Sequence, residues 1–196
     1  IFQNVSMEFE KGNSYGFVGP NGCGKSVFFK TLCGYSLLTE GQVIYRGKII
    51  GKEQDFIDDA GIVIEEPEFI NSLSGLENLK ILAEIQKKIS EAEIIEILKQ
   101  FDLYEDRNKK VGKYSVGMKQ KLRLAQAVME KPQVLILDEP MNGLDKKSVK
   151  KVEDILKAFV ENGGTLLMTS HIEQQVEACC KIVYEIDGGE ILRVTD

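Results

Sequence analysis

Gly19-Pro20-Asn21-Gly22-Cys23-Gly24-Lys25-Ser26 is the stretch on which the reading of this chain turns. It follows the apolar run Tyr15–Val18 and opens a helical pattern from Lys25 to Cys33, which Gly34 ends as glycines end helices. The spacing is G-x-x-x-x-G-K-[ST] at every fixed position. Glycines let the backbone curl until successive N–H groups point inward at a phosphate, and the helix adds its positive end. Lys25 then reaches β- and γ-phosphate oxygens, and Ser26 offers a hydroxyl to Mg2+. A glycine-rich turn that binds nothing is the plain alternative; the strand before it and the helix after it argue against that.

Downstream of this loop the pattern is strand and helix in alternation. Val134–Leu137 precedes a helix near Lys146–Asn162, Gly163-Gly164 breaks it, and Thr165–Met168 is apolar again. A helix over Ile172–Cys180, a strand Ile182–Ile186, the turn Asp187-Gly188-Gly189 and a strand Glu190–Val194 complete the chain. Such alternation implies an α/β fold, a mostly parallel sheet with helices on both faces. Upstream, Ile1–Phe9 reads as a strand, with the first strand or more of the natural protein lying outside the chain. Gln42–Arg46 and Lys48–Ile50 flank Gly47 as a hairpin, an antiparallel β part near the N-terminus, and Ala60–Ile64 is a buried strand. Between roughly residues 67 and 131 the texture is all helical. Ser74-x-x-Glu77 and Ser90-x-x-Glu93 are capping boxes, the second helix showing an Ile94, Ile95, Leu98, Phe101 face, and a third helix runs from about Val116 to Glu130.

The strand Val134–Leu137 ends in Asp138-Glu139. In parallel α/β sheets ligands gather at the carboxyl ends of strands, so these acids face the phosphates. Asp138 would hold the metal through water, and Glu139 would orient or deprotonate an attacking water. An exposed acidic turn before Pro140 is the alternative, weakened by the phosphate loop. His171, the single histidine, follows Thr165–Met168 at the same sheet edge, where it is either a structural residue or a hydrogen-bond partner of a γ-phosphate. Tyr114-Ser115-Val116-Gly117-Met118 opens an amphipathic helix, and a serine and glycine at a helix N-terminus form a second anion-binding surface.

Composition narrows the function classes. The 196 residues carry a formal charge of −6 and a pI near 5.1, against a general nucleic-acid binder. No apolar run approaches the roughly 18 residues that span a bilayer, and no signal sequence is visible. Cys23, Cys33, Cys179 and Cys180 lack metal-ligand spacing and read as free thiols in a reducing compartment.

Together these motifs resemble the ATP-binding cassette family, the nucleotide-binding subunits of ABC transporters, across essentially the whole chain. The residues are the phosphate loop Gly19–Ser26, the Walker B strand Val134–Asp138 with Glu139, the signature Tyr114–Met118, the D-loop Asn142-Gly143-Leu144-Asp145 and the switch histidine His171. The resemblance implies a P-loop NTPase (RecA-like) fold over residues 1–196, with a helical subdomain inserted at roughly 67–131. It implies ATP and Mg2+ as cofactors and a second ATP-binding subunit, homo- or heterodimeric, joined head to tail around two ATP molecules. Ser115 and Gly117 of one subunit would close on the γ-phosphate held by Lys25 of the other, and Asp145 would couple the two sites. Hydrolysis would drive transmembrane permease subunits, which the helical insert meets, placing the chain in the cytoplasm on the inner face of the membrane.

The chain departs from the family pattern in places. Val116 and Met118 stand where glycine and glutamine are usual, and Val27 where a threonine commonly follows Ser26 near the α-phosphate. Glu65, followed by Glu66-Pro67, occupies the Q-loop position, where its carboxylate would still meet Mg2+ or water. The aromatic that stacks on adenine falls outside the chain. Glu65 with Tyr-Ser-x-Gly-Met is similar to the bacterial bacitracin/lantibiotic-type exporters. Cys23 is either a tolerated small side chain or a redox-sensitive thiol. Lys146, Lys147, Lys150 and Lys151 form a solvated face or meet an anionic partner. Competing readings are weaker: Asn108-Lys109-Lys110-Val111 lacks the acid of a guanine site, a small-molecule kinase needs neither signature nor His171, and the insert is too short for the coiled coil of a DNA-repair clamp. A soluble regulator of the same family, working without membrane partners, stays open.

Overall fold

The computed structural model describes residues 2–65 and 68–194. In chain order the elements are β1 Ser14–Val18, α1 Lys25–Cys33, the hairpin β2 Ile44–Tyr45 and β3 Lys48–Ile49, then β4 Ala60–Val63. The helices α2 Gly75–Gln86, α3 Glu91–Gln100 and α4 Val116–Met129 follow, with a 3-10 turn at Val111–Lys113. The chain ends with β5 Val134–Leu137, α5 Lys146–Glu161, β6 Thr165–Ser170, α6 Glu173–Cys179, β7 Ile182–Asp187 and β8 Glu190–Arg193. Six strands form one sheet in the order β4-β5-β6-β1-β7-β8, all parallel except the β7–β8 pair, while β2–β3 is a separate antiparallel ribbon.

Strand alternation divides the apolar side chains between two cores. Leu135 and Leu137 of β5, with Leu166 and Met168 of β6, face the layer of α4, α5 and α6, where they meet Leu122, Leu156 and Val176. Ile136 and Leu167, one residue out of phase, face the opposite layer with Tyr15, Phe17, Phe28, Phe29 and Cys33. Helices therefore cover both faces, as the alternating sequence pattern predicts. Both capping boxes form: Ser74 and Ser90 each accept the N–H three residues on, and Glu77 and Glu93 reach back to the cap. On α3, Ile94 and Leu98 are buried, as is the following Phe101, while Ile95 lies only partly covered. Helix α2 packs on α3, α3 on α4, and α4 on β4. All four cysteines are free, and burial pushes the Cys33 and Cys179 thiols up to about 12, so both pack as small apolar groups.

The expected strand at Ile1–Phe9 is corrected: among the described residues none of 2–13 belongs to a strand. Its apolar pattern serves side-chain packing instead, Phe2 against the Phe28 ring and Phe9 edge-on to Tyr15. Asn4, at φ 57°, turns left-handed and breaks the extended run that a ladder would need.

Helix α4 can lie against β4 only because position 61 has no side chain. A Cβ on Gly61 would stand 2.0 Å from the Ala127 carbonyl oxygen, a backbone atom with no rotamer to yield. Gly61→Ala is expected to destabilise the protein by about 2 kcal/mol and lower Tm by roughly 4–8 °C. Thermal unfolding by circular dichroism measures this; an unchanged Tm would mean that α4 shifts freely.

Candidate functional site

The carboxyl ends of β1, β4, β5 and β6 lie along one sheet edge, because the register pairs Val18 with Ser170, Val63 with Leu137, and Leu137 with Met168. Everything that follows these residues is thereby gathered in one place: the glycine loop after β1, Glu65 after β4, Asp138-Glu139 after β5 and His171 after β6.

The loop carries left-handed backbone at Gly22 and Gly24, φ 83° and 110°, which turns the chain into α1. Gly24 is the N-cap of α1, with no side chain to satisfy the first N–H groups of the helix. Gly19 lies so close to Ile186 that a Cβ would stand 2.4 Å from its carbonyl oxygen. Lys25 is buried and folds back across the loop, its Nζ donating to Gly19 O at 2.8 Å and Pro20 O at 3.2 Å. The same ammonium lies 3.6 Å from Glu139 Oε1. Pro20, Asn21 and Cys23 complete the loop, and Val27, one residue beyond Ser26 on α1, is exposed.

Asp138 is held from two sides. The Ser26 hydroxyl donates to its Oδ2 and the Thr169 hydroxyl to its Oδ1, at 2.5 and 2.6 Å. Thr169 Oγ1 in turn accepts the Glu139 N–H at 2.9 Å. Glu139 sits in left-handed backbone, φ 48°, which costs a non-glycine residue on the order of 1 kcal/mol. That turn places its carboxylate between Lys25 and His171, whose Nδ1 is 2.9 Å from Oε2. A carboxylate only accepts, so His171 donates from Nδ1, and Nε2 can donate to a phosphate oxygen only when the ring carries both protons. Glu139 Oε1 is buried and accepts no hydrogen bond, the Lys25 ammonium lying just beyond bonding distance.

This donor set is oxygen only: one hydroxyl, one carboxylate and one buried carboxylate oxygen left over. Mg2+ takes one or two carboxylates and completes its shell with phosphate and water, so the residues fit that ion. They also fit a triphosphate, since the uncapped N–H groups of α1 and Lys25 present positive ends to the same space.

Glu65 joins the edge differently. It is exposed, at φ 58°, and its carboxylate pairs with Lys30 Nζ at 2.5 Å. Among the described residues no three His, Cys, Asp or Glu side chains converge as a metal cluster. Glu66 and Pro67 lie outside the described residues.

A second group forms at the tip of α4. Ser115 is its exposed N-cap and accepts the Met118 N–H at 3.2 Å. Gly117 lets the tip approach the Asn142–Asp145 loop, since a Cβ there would be 2.9 Å from Gly143 O. Val116 is 69% exposed, an apolar knob beside that serine. Asp145 caps α5, its carboxylate held below the usual range chiefly by the Ser148 N–H. The buried Gln120 ties α4 to the turn after β5, donating to Pro140 O at 2.8 Å while Arg123 donates to its Oε1 at 3.2 Å. Among the described residues no hydrogen bond or ion pair joins Ser115 to the Lys25–Asp138–Glu139 group; within one chain the two surfaces remain separate.

Sequence reasoning missed Thr169 and Gln120. Thr169 had a signal, a threonine at the end of an otherwise apolar strand, but the strand runs two residues beyond Met168 and carries it opposite Asp138. Gln120 had none, because its partner lies 20 residues away across a turn.

A protein-family profile described as ABC transporter matches residues 2–142. The ABC transporter ATP-binding protein YybJ of Bacillus subtilis (strain 168) is 37% identical over 191 residues, covering 97% of this chain and 88% of YybJ. The lantibiotic transport ATP-binding protein SrtF of Streptococcus pyogenes is 34% identical over 192 residues, covering 98% of this chain and 82% of SrtF. The bacitracin transport ATP-binding protein BcrA of Enterococcus faecalis is 32% identical over 194 residues; these cover 98% of this chain but 63% of BcrA, less than two thirds of its length. Among solved structures, the dimeric cassette MJ0796 in a post-hydrolysis state with ADP and Pi has a TM-score of 0.86 at 24% identity. That match covers 97% of this chain and 88% of the other. It establishes the fold.

Proposed function

The chain belongs to the ABC transporter family as a P-loop ATPase of the ABC type, and from that premise we propose that it is one of two ATP-binding subunits closing head to tail around two Mg-ATP to drive membrane-spanning partners. The observation that carries this reading is the separation of two complementary surfaces. Lys25, Ser26, Asp138, Glu139 and His171 meet at one sheet edge, while the serine-glycine tip of α4 is exposed and bonded elsewhere. A triphosphate seated at the first surface is completed by the second only when another molecule supplies it.

In this mechanism Lys25 exchanges its bonds to Gly19 and Pro20 for β- and γ-phosphate oxygens. Ser26 and Asp138 would hold Mg2+, which would supply neutralisation of developing phosphate charge. Glu139 orients an attacking water and draws its proton, with His171 fixing the carboxylate from the other side. Ser115 and Gly117 of the second subunit present the positive end of α4 to the γ-phosphate, and Asp145 reports closure through the segment that Gln120 ties to α4.

Membrane partners agree with a groove of about 230 Å3 that Ile62, Leu82, Ile85 and Met129 line together with Asp59, Lys88 and Glu130, and with the exposure of Ile81 and Ile85 on α2. Among the described residues no helix is long and apolar enough to cross a membrane, so these partners supply the spans and hold the chain at the cytoplasmic face. The helical subdomain inserted at about 67–131 is the surface that meets them. The names of SrtF and BcrA, lantibiotic and bacitracin transport proteins, favour a peptide antibiotic or similar compound as the transported species, and export is the direction we propose for it.

Ser115→Arg tests the reading. A bulky cation at the α4 N-terminus opposes the helix dipole and fills the space of the γ-phosphate, so ATP-dependent dimerisation is lost and hydrolysis falls about 100-fold. Each monomer still binds ATP, as read by fluorescence titration. A normal hydrolysis rate would mean that α4 takes no part in the site.

A further inference from the structure

Two buried side-chain oxygens accept no hydrogen bond among the described residues, Glu139 Oε1 at the nucleotide edge and Glu130 Oε1. The second lies outside the nucleotide chemistry. Glu130 is the C-cap of α4 and lines the groove together with Ile62, Leu82, Ile85 and Met129. A buried polar atom without a partner has given up water and gained nothing in return, so it calls for a physical reason.

The described chain does not answer this one. Asp59, the other acid lining the groove, meets Arg46 at 3.2 Å and Lys88 at 3.8 Å. Lys131, next in sequence to Glu130, pairs with Glu93 at 2.7 Å. Burial pushes the Glu130 carboxyl above its usual range, against the weaker pull of Lys88. The helix adds to the imbalance. The last carbonyls of α4 carry its negative end, where a cation is favoured, yet its final turn holds no basic residue. Acid and helix end together present negative charge beside the apolar side chains of the groove.

We propose that Glu130 is the specificity-determining residue of this groove: it receives an arginine or lysine side chain from an amphipathic segment of the membrane-spanning partner, whose apolar face meets Ile62, Leu82, Ile85 and Met129. This rests on the reading of the groove as the partner's surface, and adds the charge that the partner carries there. The incoming cation satisfies Glu130 Oε1 and the α4 terminus together, and no covalent bond changes. A segment with a neutral or acidic residue at that place leaves the carboxylate buried and unpaired, which is how Glu130 discriminates between partners.

The test titrates the full chain with two short amphipathic peptides, identical except that one carries a single arginine and the other its neutral isostere citrulline. Fluorescence anisotropy reads binding. The wild-type chain is expected to bind the arginine peptide about tenfold more tightly, the worth of one charge-assisted hydrogen bond. Glu130→Gln removes that preference, and Glu130→Lys transfers it to a third peptide carrying glutamate. Without peptide, Glu130→Gln unfolds at or above the wild-type midpoint, because the carboxylate has no partner in the chain to lose. Equal binding of the arginine and citrulline peptides by the wild type, binding of neither, or an arginine preference that survives in Glu130→Gln would overturn the proposal. A clear fall in the midpoint of Glu130→Gln would overturn it too, making the residue a brace of the fold. So would self-association of the chain without nucleotide that Glu130→Gln abolishes, which assigns the groove to a second copy. Ile85→Gln keeps the failures apart. It weakens both peptides when they sit in the groove, and peptide binding that ignores it would sink the groove as the partner's surface, whatever Glu130 does.

Discussion

Glu139→Gln is expected to bind ATP with wild-type affinity, to turn it over about 1000-fold more slowly, and to accumulate as a dimer under saturating ATP. The replacement is close to isosteric, so the left-handed backbone at position 139 and the N–H bond to Thr169 Oγ1 are retained. What disappears is the negative charge between Lys25 and His171, and with it the carboxylate assigned to draw a proton from water. General-base removal typically costs 10²–10⁴ in rate, about 3–5 kcal/mol of barrier. Binding is spared because the phosphate contacts are assigned to Lys25 and the glycine loop. Removing one of two acids beside the γ-phosphate also lowers repulsion there, which favours the closed pair. Steady-state hydrolysis and size-exclusion chromatography with ATP are the measurements. A monomer at saturating ATP would count against head-to-tail closure, and a rate within about threefold of wild type would remove Glu139 from the chemistry.

Lys25→Ala acts at the opposite step. The ammonium is buried against the loop, with Glu139 as its counter-charge. Alanine removes two charge-assisted bonds to phosphate oxygens, together about 3 kcal/mol or more, so ATP affinity falls on the order of 100-fold. It also leaves the Glu139 carboxylate, 3.6 Å from the lost ammonium, without that counter-charge, and this repels the nucleotide further. Equilibrium binding of a fluorescent ATP analogue measures the loss, with circular dichroism confirming the fold. Unchanged affinity would take the lysine out of the phosphate site. The contrast with Glu139→Gln is informative: one substitution removes binding and the other removes turnover, although the two side chains lie 3.6 Å apart.

The local features of the chain were legible because their causes are local. Ser74 with Glu77 and Ser90 with Glu93 bond across three residues, so the starts of α2 and α3 could be read directly. Gly34 in left-handed backbone closes α1 where its sequence position predicts. The glycine loop, with Lys25 and Ser26 at fixed spacing, points to a phosphate site from eight residues. The segment at residues 1–9 misled because alternating apolar residues pack equally well without a ladder, and only a neighbouring strand decides between the two.

Sequence by itself therefore determined the ABC-type ATPase class and, from β1 onward, the order of strands and helices. Tertiary structure decided which oxygen meets which donor. Asp138 is held by Thr169 and Ser26, 31 and 112 residues away, and Glu65 by Lys30 at a distance of 35. Those pairings follow from sheet register, which aligns Leu137 with Met168 and Val63 with Leu137. Register is set by how the two apolar faces of the strands fill their separate cores, a property of the packed sheet that no short stretch of chain contains.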